Sequence, residues 1–184
     1  MRSWEVSHDR QNVAALGIAA GVAIFAGAVG FASDVRIIRM EDQCDPESFN
    51  AMFGPGTCVN NGGVSVATFI AQLTHSQQAG AWRFTPDPVR LRDGQAFQAV
   101  NFGGEIHTFT EVDEFGGGFI PDLNVFISGD QTPTPECLAI APEAFTGEDF
   151  IPPGGKTEVE VEEPGVHHYM CCIHPWMRTN VVVR

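Results

Sequence analysis

The chain has 184 residues, room for one domain and a little more. Its formal net charge is −13, with a single lysine at Lys156, so it offers no basic surface for a nucleic-acid backbone. An acid excess of this size keeps a protein soluble, or steers it toward a basic partner.

Residues 13–32 carry no charge and no proline, and Arg2 and Arg10 precede them. With the small residues Gly30 and Ala32 at its end, this run reads as an export signal. It is also long enough to span a bilayer, so a cleaved signal peptide and an uncleaved membrane anchor both stand. Either one exports the rest of the chain. No Arg-Arg pair points to the twin-arginine route. Glu41-Asp42-Gln43 before Cys44 lacks the small apolar residues that precede a lipidated cysteine.

Five cysteines are present, an odd number. In an exported protein the odd one is reactive or a ligand. If Cys171 binds a metal, Cys44, Cys58, Cys137 and Cys172 remain for two disulfides, with three pairings open. Cys44–Cys58 with Cys137–Cys172 is the preferred set, the first because it closes a short local loop.

Residues 33–63 are rich in Gly, Pro, Asn and acids and read as a linker stapled by cysteines, not as a core element. Residues 65–78 place Val66, Phe69, Ile70 and Leu73 at helical spacing, with Ser65 to cap the start and Gly80 to end it. His75 on this short amphipathic helix has no second ligand one turn away and reads as a surface residue. From Ala81 the pattern changes to short strands. Trp82–Thr85 and Val89–Arg92 flank Pro86-Asp87-Pro88. Asp93-Gly94 signals a hairpin turn into Ala96–Phe102, and Ile106–Val112 follows. Residues 113–155 are loop-rich, with a short helix expected near Pro142–Phe145. Thr157–Glu162 alternates valine with glutamate, Pro164-Gly165 turns the chain, and Val166–Cys171 and Asn180–Val183 are the last strands. Short strands joined by turn signals argue an all-β sandwich or barrel.

Near the C-terminus, Cys171, His174 and Met177 stand three residues apart. Thiolate, imidazole and thioether are a soft donor set, and Cys with two His and a weak axial Met describes a blue-copper centre. The loop supplies one histidine. The second should come from another strand, and His107, behind Gly103-Gly104, is the best candidate because glycines let the backbone approach closely. Alternation along a strand puts Tyr169 and Cys171 on one face and Met170 and Cys172 on the other, which gives Cys171 to the metal and frees Cys172 for Cys137. His168 faces away by the same rule, and His167 is about 13 Å back along the strand, so both read as surface or packing residues. Glu105 is a weaker candidate for an oxygen ligand than Met177 is for the axial place. A zinc site of Cys and two His would leave Met177 unexplained.

Tyr169-x-Cys171-x-x-His174-Pro175-x-Met177-Arg178, followed by Val181-Val182-Val183, resembles the copper loop of the plastocyanin and amicyanin group of cupredoxins. The segment from Asn101 to His107 is similar to that family's first ligand region. The resemblance covers about residues 81–184. It implies a Greek-key β-sandwich holding one type 1 copper ion, with His107, Cys171 and His174 equatorial and Met177 axial. There are departures: Thr108 stands where the family often has Asn, with a hydroxyl able to serve near the Cys sulfur. Thr179 replaces a common Gly, and Cys172 has no counterpart.

The resulting division is residues 1–32 as signal or anchor, 33–80 as cysteine-containing linker plus helix, and 81–184 as the copper domain. The function expected is an exported, periplasmic or extracellular, single-electron carrier and not an enzyme, since four protein ligands leave no open position for substrate. A copper-delivery protein without redox turnover is the alternative. Redox partner proteins would dock near Trp176 and His174, where Pro175 and Trp176 form either loop packing or an apolar rim; residues 13–32 would tether the protein if uncleaved.

Overall fold

The structure is a computed structural model; it describes residues 35–60, 62–141, 145–160 and 163–184. The expected signal or anchor over residues 13–32 lies outside the described residues, as do positions 142–144 of the helix expected near Phe145. No described helix is long and apolar enough to cross a membrane.

Among the described residues, eight strands form two four-stranded sheets. One sheet holds β1 (Arg36–Glu41), β2 (Arg83–Thr85), β4 (Phe97–Asn101) and β6 (Lys156–Val159), in the order β2-β1-β4-β6. The other holds β3 (Val89–Leu91), β5 (Thr110–Val112), β7 (Gly165–Met170) and β8 (Arg178–Val183), in the order β3-β8-β7-β5. β1 runs parallel to β4 and β3 parallel to β8; the other pairs are antiparallel.

Period-two alternation produces this arrangement. In β4, Phe97, Ala99 and Asn101 point inward; in β8, Thr179, Val181 and Val183 do. The inward residues of both sheets meet in one apolar core with Ile38, Met40, Phe84, Val89 and Leu91. Each fully buried large side chain there contributes about 1.5–3 kcal/mol. The mostly-β, two-sheet expectation therefore holds, with a few short helices added.

Three local expectations are corrected. Residues 33–63 are not simply a linker: β1 pairs with β4 over five residues from Arg36↔Phe97 to Met40↔Asn101. Ile38 and Met40 are fully buried, so the sheet begins well before residue 81. Second, Asp93-Gly94 turns the chain but closes no hairpin. Gly94 takes φ +69° and Gln95 N–H donates to the Arg92 carbonyl, yet β3 and β4 lie in different sheets. Third, the chain from Ile106 is strand only at Thr110–Val112.

α1 (Pro46–Phe53) was not anticipated, although Asp45-Pro46-Glu47 is a helix start: the Asp45 carboxylate accepts from Ser48 N–H at 3.0 Å and Pro46 fills the first turn. α2 (Val66–Ser76) begins at its Ser65 cap as expected, but ends at Gln77 with φ +59° and not at Gly80. Val66, Phe69 and Leu73 are buried, whereas Ile70 and His75 are exposed. Two short helices, α3 (Pro121–Asn124) and α4 (Pro135–Ala139), sit in the loop-rich stretch.

Both preferred disulfides are present, Cys44–Cys58 and Cys137–Cys172, and Cys171 is the free, buried cysteine. The alternation past β7 is visible in the packing. Tyr169, Cys171 and Ile173 join the main core, while Met170 and Cys172 join a smaller cluster with Val112 and Cys137.

Candidate metal centre

Three donors converge at one end of the sandwich. His107 lies between β4 and β5, and its backbone is clamped to Ile151 by two hydrogen bonds, N–H to carbonyl in each direction, of 3.2 and 2.8 Å. Cys171 follows β7, and His174 and Met177 lie in the loop to β8. Cys171 N–H donates to the Met177 carbonyl at 3.0 Å and Met177 N–H to the His174 carbonyl at 2.9 Å, which closes the loop on itself.

The donor atoms of His107, Cys171 and His174 all lie within 4.8 Å of one another. Cys171 Sγ stands 3.8 Å from Nδ1 of His107 and 3.8 Å from Nδ1 of His174. Donors bound to one ion through bonds of about 2.0–2.3 Å sit about 3.6 Å apart, so the spacing fits a shared metal. All three side chains are buried: His107 and Cys171 at 0% exposure, His174 at 4%. Met177 is also fully buried, in the same core cluster as Cys171.

The thiolate is favoured before any metal arrives. Burial works to raise the Cys171 thiol, but the two imidazoles outweigh it and hold it well below its ordinary value. Thr108 N–H donates to Sγ at 3.4 Å. The Thr108 hydroxyl expected near the sulfur instead accepts from Cys172 N–H at 2.8 Å, so backbone and side chain of Thr108 hold the two adjacent cysteines separately.

Each imidazole has a buried carboxylate at its far nitrogen. His107 Nε2 lies 2.9 Å from Asp42 Oδ2. His174 Nε2 lies 3.6 Å from Glu105 Oε2, and the same oxygen accepts from Trp82 Nε1–H at 2.6 Å. Burial pulls His107 down, yet Asp42 and Cys171 outweigh it and raise it to about 10. Burial likewise works to raise Asp42, but His107 and the N–H groups of Gly104 and Glu105 hold it well below the usual carboxylate range. Glu105 is raised by burial, with His174 and Trp82 opposing. A metal ion held by this group would need the ring nitrogen of His107 that faces the sulfur free of its proton.

The loop carrying Glu105 and His107 is tied down by Asn101, itself 1% exposed: its amide donates to the carbonyls of Glu105 and Ile151 at 2.7 and 2.9 Å. Gly104 N–H donates to both oxygens of Asp42 at 2.9 Å. A Cβ at Gly104 would meet Cys44 Sγ at 2.6 Å and Asn60 N at 2.9 Å, so the close backbone approach expected of these glycines is required here.

The remaining expectations fall as follows. Glu105 is no member of the donor group; it stands behind His174. His167 bonds Glu111 and the Glu163 carbonyl, His168 bonds Asn180, and neither joins the group. The His174 ring is not an open edge: it packs against Trp176 at 5.5 Å and lies 6.5 Å from Trp82, and Phe69 of α2 packs on both indoles. Sequence reasoning missed Asp42 altogether. It sits at the end of β1, 65 residues from His107, and no local pattern marks it. Trp82 and Phe69 were legible only as apolar residues of a strand and a helix.

No family model matches the chain, and no curated protein is similar to it in sequence. Solved structures are similar to it at low identity. A purple cupredoxin from Nitrosopumilus maritimus is 15% identical over 81% of this chain and 99% of its own, with TM-score 0.43. An oxidised amicyanin variant is 12% identical over 85% of this chain and 89% of its own, with TM-score 0.40. A plastocyanin from Dryopteris crassirhizoma is 17% identical over 56% of this chain and 89% of its own, with TM-score 0.36. These structural neighbours are cupredoxins, and the buried group of His107, Cys171 and His174 has the donor set of a type 1 copper site.

Proposed function

We propose that this chain is an exported cupredoxin that carries single electrons between redox partners on one type 1 copper ion. The observation that carries the reading is the convergence of one thiolate and two imidazole Nδ1 atoms around a single buried point. His107, Cys171 and His174 would be the equatorial ligands and Met177 the axial one. Copper bound there supplies a one-electron couple. The chain's part is to keep the donors in one arrangement. The Ile151 clamp on His107 and the closed loop from Cys171 to Met177 fix the donors from two sides, and the aromatic cover excludes water.

With His174 covered, we place the docking surface for redox partners over Trp176, which is half-buried and touches the His174 ring. The two disulfides support an oxidising compartment, in keeping with the export signal read in residues 13–32. Ligands this deeply buried favour a retained ion over one handed on to another protein.

The test is copper-loaded protein. A type 1 site gives an intense absorption band at about 600 nm and a reversible one-electron couple. Absence of the band from a fully loaded sample overturns the reading, and a band without reversible cycling transfers the assignment to copper delivery.

A further inference from the structure

We propose that Asp42 and Glu105 are positioning residues for the two imidazole ligands, and that their charges bias the bound copper toward Cu(II). This rests on the copper reading above and concerns residues outside the copper loop.

In both imidazoles Nδ1 faces the Cys171 sulfur and Nε2 faces a buried carboxylate oxygen, at 2.9 Å for Asp42 and 3.6 Å for Glu105. A neutral imidazole carries one N–H and one lone pair, and an ionised carboxylate can only accept. At His107, where the contact is a hydrogen bond, Nε2 therefore keeps the proton and Nδ1 presents its lone pair toward the sulfur; at His174 the carboxylate acts at longer range, through its charge. The Asp42 carboxylate chooses the tautomer that can bind.

Neither carboxylate is free to swing away. Asp42 accepts from the N–H groups of Cys44, Gly104 and Glu105 at 3.2, 2.9 and 3.0 Å. The Cys44–Cys58 disulfide anchors the segment just beyond it. Glu105 is held by the Trp82 indole at 2.6 Å, and Trp82 is itself wedged between Phe49 and Phe69. The strand and helices before residue 81 thus reach the copper end through one carboxylate, Asp42, and through Phe49 and Phe69, which pack on the Trp82 that holds Glu105.

The charges follow. The thiolate and the two carboxylates place three negative charges beside the ion. With Cu(II) the cluster carries one net negative charge, and with Cu(I) it carries two. Burial of the added charge in a medium of low dielectric constant disfavours the reduced state. Reduction takes one electron from an external one-electron donor, converts Cu(II) to Cu(I), breaks no ligand bond and takes up no proton.

The test uses the full-length protein, with Glu105→Gln as the main variant because its amide oxygen still accepts from Trp82. Asp42→Asn and Asp42→Glu accompany it. The midpoint potential is read by redox titration of the blue band, and imidazole tautomers by nitrogen-15 NMR of the zinc-loaded protein. Glu105→Gln should shift the Cu(II)/Cu(I) ratio at fixed ambient potential at least tenfold toward Cu(I), a rise of about 59 mV. Asp42→Asn should shift it the same way, with partial restoration in Asp42→Glu. Both histidines should show Nε2–H in zinc-loaded wild type. An unchanged potential in Glu105→Gln with the band intact overturns the charge assignment while leaving the copper reading standing. Nδ1–H at His107 in the zinc form overturns the positioning assignment. A wild type without a blue band overturns the copper reading, and the zinc-form tautomers still decide the positioning role.

Discussion

Cys171 and Cys172 are neighbours in the chain and serve opposite sides of the sheet. Cys171 faces the main core, 3.8 Å from an Nδ1 of each of two histidines, while Cys172 faces a separate cluster and is bonded to Cys137. Cys171→Ser should abolish the band at about 600 nm in copper-loaded protein, whereas Cys172→Ser should retain it. Absorption spectra of the two variants decide the ligand assignment, and the reverse pattern would overturn it.

The same disulfide closes a sequence separation of 35 residues. Cross-linking a loop of that size stabilises a fold by about 3–4 kcal/mol through the unfolded chain. Paired Cys137→Ala and Cys172→Ala substitutions should lower the urea midpoint by a corresponding amount and leave the secondary structure intact by circular dichroism. An unchanged midpoint would show that the bond constrains little.

Trp82→Phe isolates one hydrogen bond. The ring contacts with Phe49 and Phe69 are largely retained, but Glu105 Oε2 loses its indole donor. Leaving a buried acceptor short of a donor costs about 1–3 kcal/mol. Equilibrium unfolding should show a loss in that range, and Trp82→Ala a larger one. A negligible loss in Trp82→Phe beside a large one in Trp82→Ala would mean that packing, not the hydrogen bond, sets the stability.

His167 offers a pH-dependent contact away from the metal centre. Burial pulls its pKa down, but Glu111 at 2.7 Å and the Glu163 carbonyl at 2.9 Å outweigh this and raise it. A raised folded-state value means the contact's stabilisation is complete below the unfolded value of about 6.5 and is lost as pH rises through the folded one. The pair is partly exposed, so the effect is a few tenths to about 1 kcal/mol. The difference in unfolding free energy between wild type and His167→Gln should shrink as the pH is raised from about 6 to above the folded value. A difference that stays constant over that range would remove His167 from the pH response.

Gly118→Ala tests the close approach behind the loop from Cys171 to Met177. A Cβ at this position would overlap the Cys172 carbonyl oxygen, which already accepts from Phe119 N–H at 3.0 Å. The clash is with backbone, so relief requires moving the loop, at a cost of about 1–3 kcal/mol. Thermal unfolding should report the loss. Gly129→Ala, with open space around it but φ +90°, separates steric overlap from backbone strain.

The sequence by itself determined the donor group that gathers at this end of the fold, one thiol and two imidazoles. The spacing of Cys171, His174 and Met177 is local, the strand alternation that separates Cys171 from Cys172 is local, and His107 was found by asking for a second imidazole after a glycine pair. Those signals survive in a sequence because they depend on neighbours within a few residues. The two-sheet fold was legible for the same reason, through period-two patterns in Phe97–Asn101 and Arg178–Val183. Only the tertiary structure decided what surrounds the donors. β1 joins its sheet by parallel pairing to β4, a long-range register that no local pattern announces. That pairing carries Asp42 to His107 across 65 residues, and α2 brings Phe69 over Trp82 and Trp176. Burial, hydrogen-bond partners and the charge around the two imidazoles are properties of that packing, so they could be read only once the chain was folded.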